Sequence, residues 1–149
     1  MKDRKWYRRR SLYGLLVVAL VALAIPIYAL AGASSARQKV PVVKYGNTCS
    51  FTGVGETVGS ATMEKDKAGN ITVRYELRGA APGGYWLWFY ADGCGIGFYA
   101  GKMKVDSSGQ GSKTYVVPAS ETNGHTDFWA YSCYQPDCND AERTENVNF

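Results

Sequence analysis

Residues 79–101 read GAAPGGYWLWFYADGCGIGFYAG and hold seven aromatic residues: Tyr85, Trp86, Trp88, Phe89, Tyr90, Phe98 and Tyr99. Pro82-Gly83-Gly84 turns the chain before them, and Asp92-Gly93-Cys94-Gly95 divides them. Punctuation of this kind predicts a hairpin. Tyr85, Leu87 and Phe89 alternate with Trp86, Trp88 and Tyr90, and neither set is polar. A strand apolar on both faces belongs in the middle of a sheet. Its second face lies under a neighbour or loop, or meets a partner.

The next-strongest pattern lies just upstream. Ile71, Val73, Tyr75 and Leu77 alternate with Thr72, Arg74, Glu76 and Arg78, which predicts a strand with one face on the core and one in water. Turns are expected at Asp66–Asn70 and Asp106–Gly109, and strands at residues 57–64, 97–105, 112–117 and 127–133. The last two strands before Pro118, 97–105 and 112–117, read as a hairpin. Val40-Pro41-Val42-Val43 reads as an edge strand, because proline cannot donate to a central ladder. Cys49-Ser50-Phe51 reads as a further short strand. The stretches 118–124 and 140–146 are polar and read as turn or loop, and 146–149 as a short closing edge. Outside the N-terminal segment no stretch has the 3.6-residue period of a helix. The expected fold is all-β, an antiparallel immunoglobulin-like sandwich of seven or eight short strands.

The N-terminal third is of another kind. Lys2, Arg4, Lys5, Arg8, Arg9 and Arg10 precede an apolar run from Leu12 to Leu30, then Ala31-Gly32-Ala33-Ser34-Ser35-Ala36. That is the order of an export signal. Ala29-x-Ala31, Ala31-x-Ala33 and Ser34-x-Ala36 fit its cleavage pattern. The 19-residue run also approaches a membrane span, interrupted by Pro26. Residues 1–36 are therefore expected to be a signal peptide or hydrophobic anchor helix, and 37–149 a secreted or membrane-anchored extracytoplasmic domain. Of the 17 basic and 13 acidic residues, six and one lie in 1–36, which leaves eleven and twelve for the domain. The domain has no basic excess to attract nucleic acid.

Four cysteines, Cys49, Cys94, Cys133 and Cys138, fall in the exported part. Spacings of 45, 39 and 5 and a single histidine do not make a zinc site, so two disulfides are expected. Three pairings are open from the count alone.

The text VRYELRGAAPGGYWLWFY, a Gly-rich loop and GKMKVDSSGQGS resemble exported bacterial immunoglobulin-like domains. Cys133-x4-Cys138, a polar stretch and a terminal Asn-Val-Asn-Phe are similar to the neocarzinostatin-type apoproteins. That resemblance implies a seven-stranded sandwich, a small-ligand cleft and a local bridge between Cys133 and Cys138. The family's other bridge spans far fewer residues than separate Cys49 from Cys94, so there the pattern departs. Cys133 and Cys138 flank a Pro-containing loop short enough for a disulfide, which leaves Cys49 with Cys94. Cys94–Cys133 with Cys49–Cys138 is the rival, because 85–91 and 127–133 could be sheet neighbours, each ending near a cysteine.

Trp86, Trp88 and Tyr90, joined by Trp129 and Tyr131, are the candidate binding residues. They have two readings. The rings fill the core while Tyr85, Leu87 and Phe89 face a loop, or they form a platform for carbohydrate, a small aromatic ligand or another envelope protein. His125 is the sole histidine, near Asp127, Asp137, Asp140 and Glu142, and neither G-x-S-x-G nor H-E-x-x-H occurs. No catalytic residue, metal site or cofactor is expected. Asn70-Ile71-Thr72 matches a glycosylation sequon. The function expected from the sequence is a non-enzymatic binding or surface-interaction module. The alternatives are an envelope protein assembling through edge strands and a small-ligand cleft.

Overall fold

The computed structural model describes residues 36–45, 55–95, 97–138 and 140–149. The expected signal or anchor and the strand around Cys49 lie outside the described residues, Ala36 excepted. Among those described, no helix is long and apolar enough to cross a membrane.

Among the described residues there are nine strands: β1 (Ala36–Lys44), β2 (Thr57–Lys65), β3 (Ile71–Arg78), β4 (Gly83–Ala91), β5 (Phe98–Val105), β6 (Gln110–Val117), β7 (Asp127–Tyr134), β8 (Ala141–Thr144) and β9 (Val147–Asn148). One short helix, α1 (Ala119–Thr122), sits between β6 and β7. All pairings are antiparallel, in the order β5-β4-β7-β8-β1-β2-β3-β6, with β9 on β7. The described part of the chain is therefore all-β, and its sheet is nearly closed. β5 and β6 are the two ends of the order, yet the tight Asp106–Gly109 turn joins them and Lys113 Nζ donates to the Lys102 carbonyl at 3.0 Å.

The alternation in β3 is realised as expected. Ile71, Val73, Tyr75 and Leu77 are buried, and Thr72, Arg74 and Arg78 exposed. Each buried side chain of this size contributes about 1.5–3 kcal/mol. The turns on either side of this half of the sheet share one device. Asp66 Oδ1 accepts from the Ala68 and Asn70 amides, and Asp106 Oδ1 from those of Ser108 and Gln110. A short carboxylate bonding backbone two and four residues on fixes the turn locally. These bonds hold both carboxyls below the usual carboxylate range, Asp66 chiefly through the Asn70 side chain and Asp106 through Ser108.

Five readings are corrected. Tyr85, Leu87 and Phe89 enter the core, so the core does not need Trp86, Trp88 and Tyr90. The expected hairpin of 97–105 with 112–117 carries no ladder, because β5 pairs with β4 and β6 with β3. β1 is not an edge strand along its whole length: β2 pairs with it throughout, and β8 covers only Val42–Lys44. Pro41 falls just outside the part paired on both sides, which is where a residue without an amide hydrogen costs least. The polar-looking 140–146 contains β8, whose Ala141, Glu142, Arg143 and Thr144 are all buried. Asn70 is not a free sequon, since Nδ2 donates to Asp66 Oδ2 and Oδ1 accepts from the Ala119 amide.

Candidate functional site

The two faces of β4 have separate tasks. The inner face joins one core shared by β1 to β7 and β9, with Phe89 stacked on Phe128 at 5.7 Å. The outer face carries Trp86, Trp88 and Tyr90, all half-buried. Cross-strand neighbours share a face. Trp88 therefore meets Tyr131 of β7, Tyr90 meets Trp129, and Trp86 meets Cys133. All five candidate residues lie on this one surface.

A sixth ring, Tyr99, was not among the candidates, and its place depends on a bulge. Strict alternation from the buried Val105 and Met103 would turn Tyr99 inward. Leu87 pairs with Gly101 but Trp88 with Tyr99, so β5 carries one extra residue. Gly101 adopts φ +96° there, which suits glycine. The slip brings Phe98 to the core and places Tyr99 outward, 45% exposed and 4.9 Å from Trp88.

The rings support one another laterally. Tyr90 and Trp129 stack at 4.3 Å and 12°, and Tyr131 meets both edge-on. On Trp129's ring lies the Arg143 guanidinium, 3.9 Å from the centroid. Arg143 is 1% exposed, and it donates to the Thr144 carbonyl and to Asn146 Oδ1. Burial lowers its pKa. Trp129 is only 3% exposed and its Nε1 donates to the Gly93 carbonyl. It therefore underpins the surface, while Trp86, Trp88, Tyr99 and Tyr131 keep part of their area exposed. Burial raises the pKa of Tyr90 and Tyr131, so both phenols stay neutral hydrogen-bonding groups at neutral pH.

The Cys133–Cys138 bridge is present, with Cα atoms 4.7 Å apart. It excludes the rival Cys94–Cys133 pairing. Cys49 lies outside the described residues, and no described cysteine is free.

His125 is partnered by Asp92, not by the acids near it in sequence: Nδ1 lies 2.7 Å from Asp92 Oδ2. Asp92 Oδ1 also accepts from the Asp127 amide. The His125 bond first, and the backbone bonds after it, lower the Asp92 pKa. Asp127 binds Asn146, and Glu142 is inside the sheet against Ser132. Among the described residues no group of three or more His, Cys, Asp or Glu side chains could hold a metal ion. Comparison with family models, curated proteins and solved structures gives no match, so the reading of this surface rests on its own geometry.

Proposed function

We propose that this domain is a non-enzymatic binding module working outside the cytoplasm, and that it grips a carbohydrate chain on the aromatic outer face of β4, β5 and β7. One observation carries the reading. The core is complete on the inner face, so Trp86, Trp88, Tyr99 and Tyr131 are large rings that packing does not require at the surface. Indole and phenol faces stack on the C–H faces of sugar rings, and their N–H and O–H groups bond to hydroxyls. Successive outward residues of a strand stand about 6.6 Å apart, a spacing that suits an extended chain more than one small molecule.

The Cys133–Cys138 bridge supports an oxidising compartment, in keeping with the export pattern of residues 1–36. We read the sheet as an immunoglobulin-like sandwich with β5-β4-β7-β8 as one layer and β1-β2-β3-β6 as the other. The ladder between the two halves is only three pairs long, at β1 and β8, and β5 and β6 have none. Assembly through open edges has less support, because the two ends of the sheet lie against each other.

The test is retention on insoluble cell-wall polysaccharides, with tryptophan fluorescence titrations of their soluble fragments. Trp88→Ala and Trp86→Ala are each expected to weaken binding about tenfold or more. Retention that survives both substitutions, or no binding to any polysaccharide class, sinks the reading.

A further inference from the structure

At the loop end of the sheet, away from the aromatic face, lies a cleft of about 340 Å³ lined by Phe89, Ala91, Asp92, Gly95, Phe98, Ser120, Glu121 and His125. Its size is that of a small-molecule site. We propose that this cleft binds a small amine with a flat apolar body, such as an aralkylammonium ion.

The floor and rim differ in chemistry. Phe89 and Phe98 pair across the β4–β5 ladder and, with Ala91, present carbon. Polar groups come from the 92–95 loop on one side and from α1 and His125 on the other. The rim is acidic. Asp92 Oδ2 lies 2.7 Å from His125 Nδ1, so the carboxylate holds the ring in place and leaves Nε2 as its second polar atom. Nε2 has no partner among the described residues. Glu121 adds a second carboxylate, with no ion-pair partner among the described residues, and Ser120 adds a hydroxyl. No lysine or arginine lines the cleft. An ammonium head brings three donors and one positive charge to this rim, and an aromatic body packs on the half-buried Phe98 and Ala91, with Phe89 behind them. A carboxylate would meet two like charges.

The rim is held in place before any ligand arrives. Asp92 sits at φ +47°, its amide donates to the Asp127 carbonyl, and its carboxylate bonds both His125 and the Asp127 amide. Trp129 Nε1 anchors the next residue through the Gly93 carbonyl. Rigid walls reduce the ordering cost of binding.

Because the chain has one histidine, its imidazole resonances report this site alone. The full-length oxidised protein is titrated with 2-phenylethylamine, 2-phenylethanol and 3-phenylpropionate while the His125 ring protons are followed by NMR. The amine is expected to shift them saturably and to bind about tenfold or more tightly than the carboxylate. Glu121→Lys should remove that preference, and Ser120→Trp, which fills the mouth from an exposed position, should abolish the shift. Equal affinities for amine and carboxylate, no saturable shift, or a shift unchanged in Ser120→Trp overturns the proposal. Since the two sites share no contacting residue, Trp88→Ala should leave this titration unchanged, and the fate of the carbohydrate reading does not decide it.

Discussion

The Glu142 carboxylate accepts a hydrogen bond from Ser132 Oγ at 2.7 Å, and the Tyr75 hydroxyl lies 3.0 Å from the same Ser132 oxygen. The three form a polar thread through the core: Tyr75 on β3, Ser132 on β7 and Glu142 on β8. Glu142 is 2% exposed, and burial pushes its carboxyl up to about 7. Burial raises the Tyr75 pKa as well, so its hydroxyl keeps its proton.

Stability should therefore fall as pH rises through the window set by Glu142. Its folded pKa is about 7 and its ordinary value 4.5, so the folded state binds the extra proton between them. Stability from this group is full below about 4.5, declines as pH rises to about 7, and is constant above. A difference of this size is on the order of 3 kcal/mol. Glu142→Gln is expected to be more stable than the parent at pH 8 and equal to it near pH 4.5, read from urea midpoints. A parent whose midpoint rises across that window, relative to Glu142→Gln, would contradict the assignment.

Arg143 should resist conservative replacement. Its planar guanidinium covers Trp129 and bonds the Thr144 carbonyl and Asn146 Oδ1 together. Lysine carries the charge but not the plane or the fork. Arg143→Lys is expected to cost about 2 kcal/mol or more in chemical denaturation, and to change tryptophan fluorescence as Trp129 loses its cover. A loss within a few tenths of a kcal/mol would show the stack to be incidental.

Sequence patterning revealed β3 fully, since Ile71 to Arg78 needs no information beyond its own alternation. It revealed both Asp-led turns, whereas the adjacency of 85–91 and 127–133, which the structure shows, entered only as the ground for the rival disulfide pairing. It did not reveal β8, because Glu142 and Arg143 are polar by type and are buried only where β8 is held between β1 and β7. Tyr99 was hidden by the bulge at Gly101, which inverts the alternation that Met103 and Val105 set. Which face of β4 turns inward was also beyond the pattern, since both are aromatic. In the structure Tyr85, Leu87 and Phe89 are the set that packs with the inner residues of β3 and β7.

Peptide mapping without reduction should recover Cys133 linked to Cys138, and Cys49 linked to Cys94. In the loop-entropy view the short bridge stabilises by about 2 kcal/mol and the long one by about 4. Cys133→Ala/Cys138→Ala is expected to lower stability by the smaller amount and to leave the domain folded. A peptide linking Cys49 to either of the last two cysteines would refute the pairing.

Gly97 offers a test of whether the aromatic face is a coupled array. A Cβ at this position would fall 2.5 Å from Tyr90's ring, far inside contact distance. Glycine thus lets the chain pass close to the Tyr90 ring, which stacks on Trp129. Gly97→Ala must move either the loop or the ring. If the ring moves, the Tyr90–Trp129 stack opens, and the expected signs are a changed near-ultraviolet circular dichroism spectrum and a loss of about 1–3 kcal/mol. Tyr90→Ala removes the obstacle. The double variant should therefore be more stable than the sum of the two single losses implies, by at least about 0.5 kcal/mol. Strictly additive losses would mean that Gly97 and Tyr90 do not press on each other, and that the stack stands without the loop above it.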